Sequence, residues 1–195
     1  MYYEVQGDGR PLVLIHGGMC TIDTCFGKLR PPLAKTWKTL SVELQGHGHT
    51  ADIDRPLTFE QMTEDTVARL RQLKIENADF VGYSIGGGVA LRIAMRYPDF
   101  VRKLVVIGTP YNNEGLVPGL LENLKTMKPE DIPAEFREAY AKVAPDPNHW
   151  PMLVAKVMKM VQESKGLQPE DIQSIKAPVL VMLGDADIVR PERAV

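Results

Sequence analysis

The stretch from Asp79 to Met95 leaves few choices of local fold. An apolar run from Asp79 to Tyr83 reads as a short buried strand, and Val89 to Met95 reads as a helix. Between them Ser84 sits in the frame Gly82-Tyr83-Ser84-Ile85-Gly86, with room for little but a sharp strand-to-helix turn. Such a turn strains the backbone of its central residue and puts that side chain at the tip. Gly82 and Gly86 lack the Cβ atoms that would collide as strand and helix fold back on each other. A glycine-rich helix start with an incidental serine is the plainer alternative, and the flanking strand and helix argue against it. A serine hydroxyl becomes a nucleophile when it is exposed, beside a base and near backbone N–H donors. This turn meets the first and last of those conditions.

The flanking sequence repeats the strand-then-helix theme. Met1 to Val5 reads as a strand, residues 6–10 as a turn, and Pro11 to Ile15 as a second, apolar strand, so the opening reads as a hairpin. Residues 23–34 are weakly helical and stopped by Pro31-Pro32, and Thr39 to Leu44 is the next strand. Thr58 with Gln61 forms the N-cap and reciprocal partner of a helix whose apolar face is Met62, Val67, Leu70 and Leu73. Lys103 to Gly108 is another buried strand. Strands separated by helices predict an α/β fold, a mostly parallel sheet with helices on both faces. Residues 111–168 hold no strand, only proline-broken helical stretches near 116–127, 133–143 and 149–164. They read as a helical cap inserted before the last strand, 178–183, dividing the chain into a core of 1–110 and 169–195 and a cap of 111–168. The methionines of the cap read as core filling, or else as a flexible pocket lining.

Composition narrows the function. With 23 basic against 25 acidic residues and no basic stripe, nothing points to nucleic acid or an anionic membrane. No apolar run approaches a membrane span, and the first residues lack the pattern of a signal peptide. Two cysteines, Cys20 and Cys25, are too few for a disulfide scaffold and suggest reduced thiols in a cytoplasmic protein. No nucleotide-binding glycine motif is present, so no cofactor is expected. His47-Gly48-His49 with Asp52 looks superficially like a metal cluster, yet lacks zinc-motif spacing, and no metal is expected.

The motifs in order are His16-Gly17-Gly18 after an early strand, the Ser84 turn, a helical insertion after the next strand, and Gly184-Asp185-Ala186-Asp187 after the last. In this order the chain resembles the α/β-hydrolase superfamily over its whole length, and within it the small cofactor-free branch of esterases, perhydrolases and carbon–carbon bond hydrolases. The resemblance implies that Ser84 attacks a carbonyl and forms an acyl intermediate. Ile85 would supply one oxyanion N–H, and Gly18 the other, with Met19 as the next candidate. His16 would shape the oxyanion loop instead of acting as base. The family pattern places the acid at Asp187, three residues after the glycine that ends the strand, while Asp185 could be a turn-former. Tyr83 and Cys20 are expected to line the substrate pocket, and Cys25 to pack inside a helix.

The departure is the base. This fold orders its residues Ser, then Asp or Glu, then His, and no histidine follows Asp187. His149 could reach down from the cap, although a surface helix start suits it better. Two explanations stand: the sequence is a hydrolase lacking its final strand and helix, or a short member that has lost catalysis. Residues 188–195 read as the start of a returning helix, which favours the first. The strand 178–183 is then expected to have an open edge capable of self-association. The expected function is cleavage of a small to medium ester or related carbonyl compound. The rival is a binding module that holds a small ligand in the same pocket without turnover.

Overall fold

The computed structural model describes residues 1–193. Strand β1 (Tyr3–Gln6) is followed by β2 (Arg10–Ile15), two short helices α1 (Ile22–Phe26) and α2 (Arg30–Leu33), and β3 (Trp37–Val42). Helix α3 (Phe59–Gln72), β4 (Ala78–Tyr83), α4 (Ile85–Arg96) and β5 (Val101–Ile107) complete the central run. Helices α5 (Leu120–Thr126), α6 (Ala134–Val143), α7 (Trp150–Glu163) and α8 (Pro169–Gln173) precede β6 (Val179–Met182). The strands form one sheet in the order β1-β3-β2-β4-β5-β6, and every pairing is parallel except β1 with β3.

Side chains of a strand alternate between the two faces of a sheet, and β2 shows what that alternation builds. Val13 and Ile15 enter a large core with Phe80, Leu91 and Leu153, whereas Leu12 and Leu14 enter a smaller one with Phe26 and Val81. Helices α3, α4 and α7 contribute to the first core, and α1 covers the second, so helices lie on both faces. Strand β2 is apolar on both faces for that reason, whereas its neighbour β3 buries Thr39 and Ser41 on one face.

The opening is not a hairpin. Strand β1 pairs with β3, which lies between β1 and β2. Gly7 and Gly9 have φ of 81° and 136° and pass so close to the carbonyls of Ala34, Thr36 and Trp37 that a Cβ on either would meet oxygen within 2.5 Å. The turn residues serve a crossing over the start of β3, not a two-strand reversal.

Local signals elsewhere set the helix ends. Thr58 caps α3 by accepting a hydrogen bond from the Gln61 N–H at 3.1 Å, but the Gln61 side chain turns to Asp65 instead of completing a capping box. The box is found at α1, where Thr21 and Thr24 cap each other. Of the expected apolar face of α3, Met62, Val67 and Leu70 are buried and Leu73 packs partly against them. In α7, Leu153, Val154, Val157 and Met158 are all buried. The expected helix beginning at 188 is instead an extended segment followed by a 3-10 turn at Pro191–Arg193, and residues 194–195 of that expectation lie outside the described residues. No described helix is long and apolar enough to cross a membrane.

Candidate active site

Ser84 sits between β4 and α4 with φ 52° and ψ −118°. Among the described residues three non-glycines have positive φ, namely Met19, Lys74 and Ser84, and two of these face the same cavity. Strain of this kind costs on the order of 1–3 kcal/mol and persists where surrounding packing imposes it. The packing here is explicit. A Cβ on Gly82 would lie 2.4 Å from the Gly86 carbonyl oxygen, and one on Gly86 would lie 2.1 Å from that of Ile15. The Ser84 N–H donates to the Ile107 carbonyl at 2.8 Å, and the Thr109 hydroxyl donates to the Ser84 carbonyl at 3.0 Å. Thr109 in turn fills the space beside Gly87, where a Cβ would fall 2.0 Å from its oxygen.

The loop after β2 comes to the same point. Gly17 lies against Ser84 and Gly18 against the Ile85 side chain and Val157, and neither position has room for a side chain without displacement. Met19, at φ 63°, and Gly18 line a cavity of about 350 Å³ together with Ser84, Gly88, Val157 and Met158. That volume falls within the range of small-molecule sites. Ile85 opens α4, so its N–H is among the donors that a helix N-terminus leaves outside its own hydrogen-bond ladder.

Asp187 lies across the end of β5. Its carboxylate accepts from the N–H groups of Val189 at 3.1 Å and Gly184 at 3.3 Å, and comes within 3.3 Å of where a Cβ on Gly108 would stand. Gly108 is itself a wall of the cavity, so Ser84 and Asp187 converge on one end of the sheet. Asp185 is exposed.

Tyr83 and Cys20, expected at the pocket, lie off it. Val81 belongs to the smaller core, and Tyr83, two residues on, points to that same face, away from α4. Its ring lies against Gly17 and Gly108, and burial raises the pKa of its hydroxyl. Cys20 is buried beside Cys25 at the start of α1. A hydrogen bond from Cys25 lowers the pKa of the Cys20 thiol, and the same contact raises that of Cys25.

Each of the four histidines is engaged elsewhere. His16 is fully buried, with Nδ1 at 2.7 Å from the Gly17 carbonyl oxygen and Nε2 accepting from the Leu44 N–H at 3.1 Å. Burial, with His47 beside it, lowers its pKa to about 3. His47 is also fully buried and lowered to about 4 by burial, against the opposing pull of the Gln45 carbonyl and Asp52. His49 bonds Glu43 at 2.9 Å. His149 does open a helix, but its Nε2 lies 2.9 Å from the Asp52 carboxylate. No group of three His, Cys, Asp or Glu side chains able to hold a metal occurs among the described residues.

Three residues support the site in roles that the sequence reading does not assign. Thr109 is one. Glu43, 1% exposed, accepts from the Ile22 N–H at 3.1 Å and the His49 N–H at 2.6 Å, joining α1 to the loop after β3. A charged residue ending an apolar strand next to Gly46-His47-Gly48 was the clue. Asp52 accepts from Lys156 at 2.6 Å, Gln45 at 2.7 Å and His149, so it ties that loop to α7. Burial works to raise the Asp52 pKa, and these hydrogen bonds outweigh it and hold it below the usual value.

The mostly parallel sheet with helices on both faces is the architecture that comparison with known proteins addresses. The alpha/beta hydrolase fold family matches residues 10–147. The chain belongs to that family. A pyrrolizixenacetamide deacetylase of Xenorhabdus hominickii is 33% identical over 54% of this chain and 40% of its own length. The AB hydrolase superfamily protein YisY of Bacillus subtilis is 26% identical over 98% of this chain and 79% of its own. The matched part of the chain thus spans less than half of the deacetylase and most of YisY. Among solved structures, a meta-cleavage product hydrolase from Pseudomonas fluorescens superposes with a TM-score of 0.79 at 22% identity, covering 97% of this chain and 77% of that one. At that identity the likeness speaks for the fold.

Proposed function

We propose that this chain carries the nucleophile of a serine hydrolase that cleaves a small to medium ester or related carbonyl compound through an acyl intermediate. The observation that carries the reading is Ser84, held at positive φ by close-packed glycines with its residue lining a 350 Å³ cavity. In this reading Ser84 Oγ adds to the carbonyl carbon, and the developing oxyanion is met by the N–H groups of Ile85 and of Gly18 or its neighbour Met19. One such donor typically lowers the barrier by about 3 kcal/mol. Asp187 is the carboxylate that orients the base. None of the four histidines serves as that base, since each is hydrogen-bonded to a group other than Ser84. Residues 111–168 act as a cap, because Val157 and Met158 of α7 close the cavity over Ser84.

The engaged histidines also favour a second reading, a ligand-binding module on the same pocket without turnover. Hydrolysis of a short p-nitrophenyl ester, measured with and without added imidazole as a diffusible base, separates the two. The hydrolase reading expects imidazole-stimulated turnover that disappears in Ser84→Ala and falls in Asp187→Asn. Saturable ester binding with no turnover under either condition favours the module.

A further inference from the structure

Arg92 is the one charged residue on the cavity wall among the described residues. Gly88 and Arg92 lie four residues apart on α4, whose N-cap is Ser84, and all three line the cavity, which therefore runs along the helix. Eight residues of helix place the Arg92 backbone about 12 Å beyond Ser84. The lining is mostly apolar, with Leu91, Met158 and Val161 among its residues, and includes the uncharged polar side chains of Thr109, Asn112, Asn113 and Ser164.

The guanidinium is held in place but not used up. Its side chain is 8% exposed, Nη1 donates to the Gly88 carbonyl at 3.1 Å, and Nε donates to Glu60 at 3.2 Å. Its centre lies 4.4 Å from the centroid of the Phe59 ring, which also lines the cavity. A guanidinium has five N–H donors, and these contacts occupy two. A clip between α3 and α4 would be the plainer role. Glu60 is 65% exposed and so is partly screened by water, and Asp171 adds a longer-range attraction. A charge beside an apolar cavity is costly unless it is paired, and a carboxylate entering from the cavity would complete that pairing.

We propose that the acyl part of the substrate is a medium-length apolar chain ending in a second carboxylate, which Arg92 binds while the ester carbonyl sits at Ser84. The ligand class is the monoesters of medium-chain dicarboxylic acids. This rests on the reading of Ser84 as nucleophile for the orientation of the ligand, while binding itself needs no turnover.

The test is calorimetric titration of Ser84→Ala with monomethyl octanedioate and with methyl octanoate, which match in length and differ in the terminal charge. The acid-ended ester is expected to bind roughly tenfold tighter or more, and the preference to vanish when Arg92→Met is added. Equal affinity for the two esters, or a preference that survives Arg92→Met, overturns the proposal. Because Arg92→Met could fail to fold, Glu60→Gln is the second variant. It keeps Arg92 and removes its internal competitor, so the preference for the acid must grow, and a loss or no change contradicts the assignment. Acylation of Ser84 is scored separately by fluorophosphonate labelling of the unsubstituted chain. Failure of labelling leaves the binding preference standing, and the reverse also holds.

Discussion

The two ends of the candidate site are built in opposite ways. Around Ser84 the support is dense: Phe80, Leu91, Val106 and Thr109 are at most 2% exposed, Gly82 lies against the backbone of α4, and Gly86 against the carbonyls of Ile15 and His16. Around Asp187 the support is thin. Val179, Leu180 and Met182 of β6 are 37%, 57% and 47% exposed, and the carboxylate is oriented by backbone N–H groups of its own loop. A bridge between Leu116 and Val189 and a hydrogen bond from the Arg190 N–H to the Gly115 carbonyl link this arm to the segment after β5. The strain at Ser84 is imposed by many contacts, so geometry there is costly to change. The position of Asp187 depends on few, so substitutions near it act locally.

The sharpest way to break that contrast is Gly86→Ala. Its Cβ would fall 2.1 Å and 2.5 Å from the carbonyl oxygens of Ile15 and His16, backbone atoms that cannot rotate away. A loss of about 3 kcal/mol or more is expected in urea unfolding, at the upper end of overpacking effects. Retained stability would mean that β2 and α4 are less tightly joined than described.

Acid is expected to act next, through the packed half. His16 and His47 are neutral when folded, with pKa values lowered from 6.5 to about 3 and about 4. Between those values and 6.5 the unfolded chain binds more protons than the folded one. Stability therefore falls as pH drops from 6.5 toward 4, and these two groups have no effect above that window. The slope can reach about 1.4 kcal/mol per pH unit for each group. Unfolding midpoints across that range check this, and His47→Gln should roughly halve the slope.

Smaller still is Thr109→Val, which removes the hydroxyl bonded to the Ser84 carbonyl while keeping the shape. About 1–2 kcal/mol should be lost, because the carbonyl is left with one partner fewer in a buried place. The smallest effect is expected in the thin half, where Leu180→Ser should change stability by less than about 0.5 kcal/mol, as at other exposed positions. A loss as large as that of Thr109→Val would show that β6 is more buried in solution than its exposure implies.

The same contrast explains what could be read from the sequence. The Ser84 turn was legible because sequence-adjacent glycines carry it, and the alternating strands because apolar residues recur at short range. Strand β1 was misplaced because its partner is chosen by the close approach of Gly7 and Gly9 to the start of β3, a contact across some thirty residues. Tyr83 and Cys20 adjoin Ser84 and Met19 in sequence, yet neither lines the pocket, and strand alternation turns Tyr83 away from it. Arg92 and the link from Asp52 to His149 and Lys156 are side-chain encounters between distant elements, which local pattern cannot announce.

The central proposal is that Ser84 is a preassembled nucleophile. The direct measurement is the rate of fluorophosphonate labelling, mapped by mass spectrometry, with and without free imidazole. The account predicts a single adduct on Ser84, formed slowly alone, faster with imidazole, and absent in Ser84→Ala. No adduct on Ser84 under either condition would contradict it and leave the ligand-binding module. Fast labelling that ignores imidazole would show instead that one of the four histidines reaches the serine.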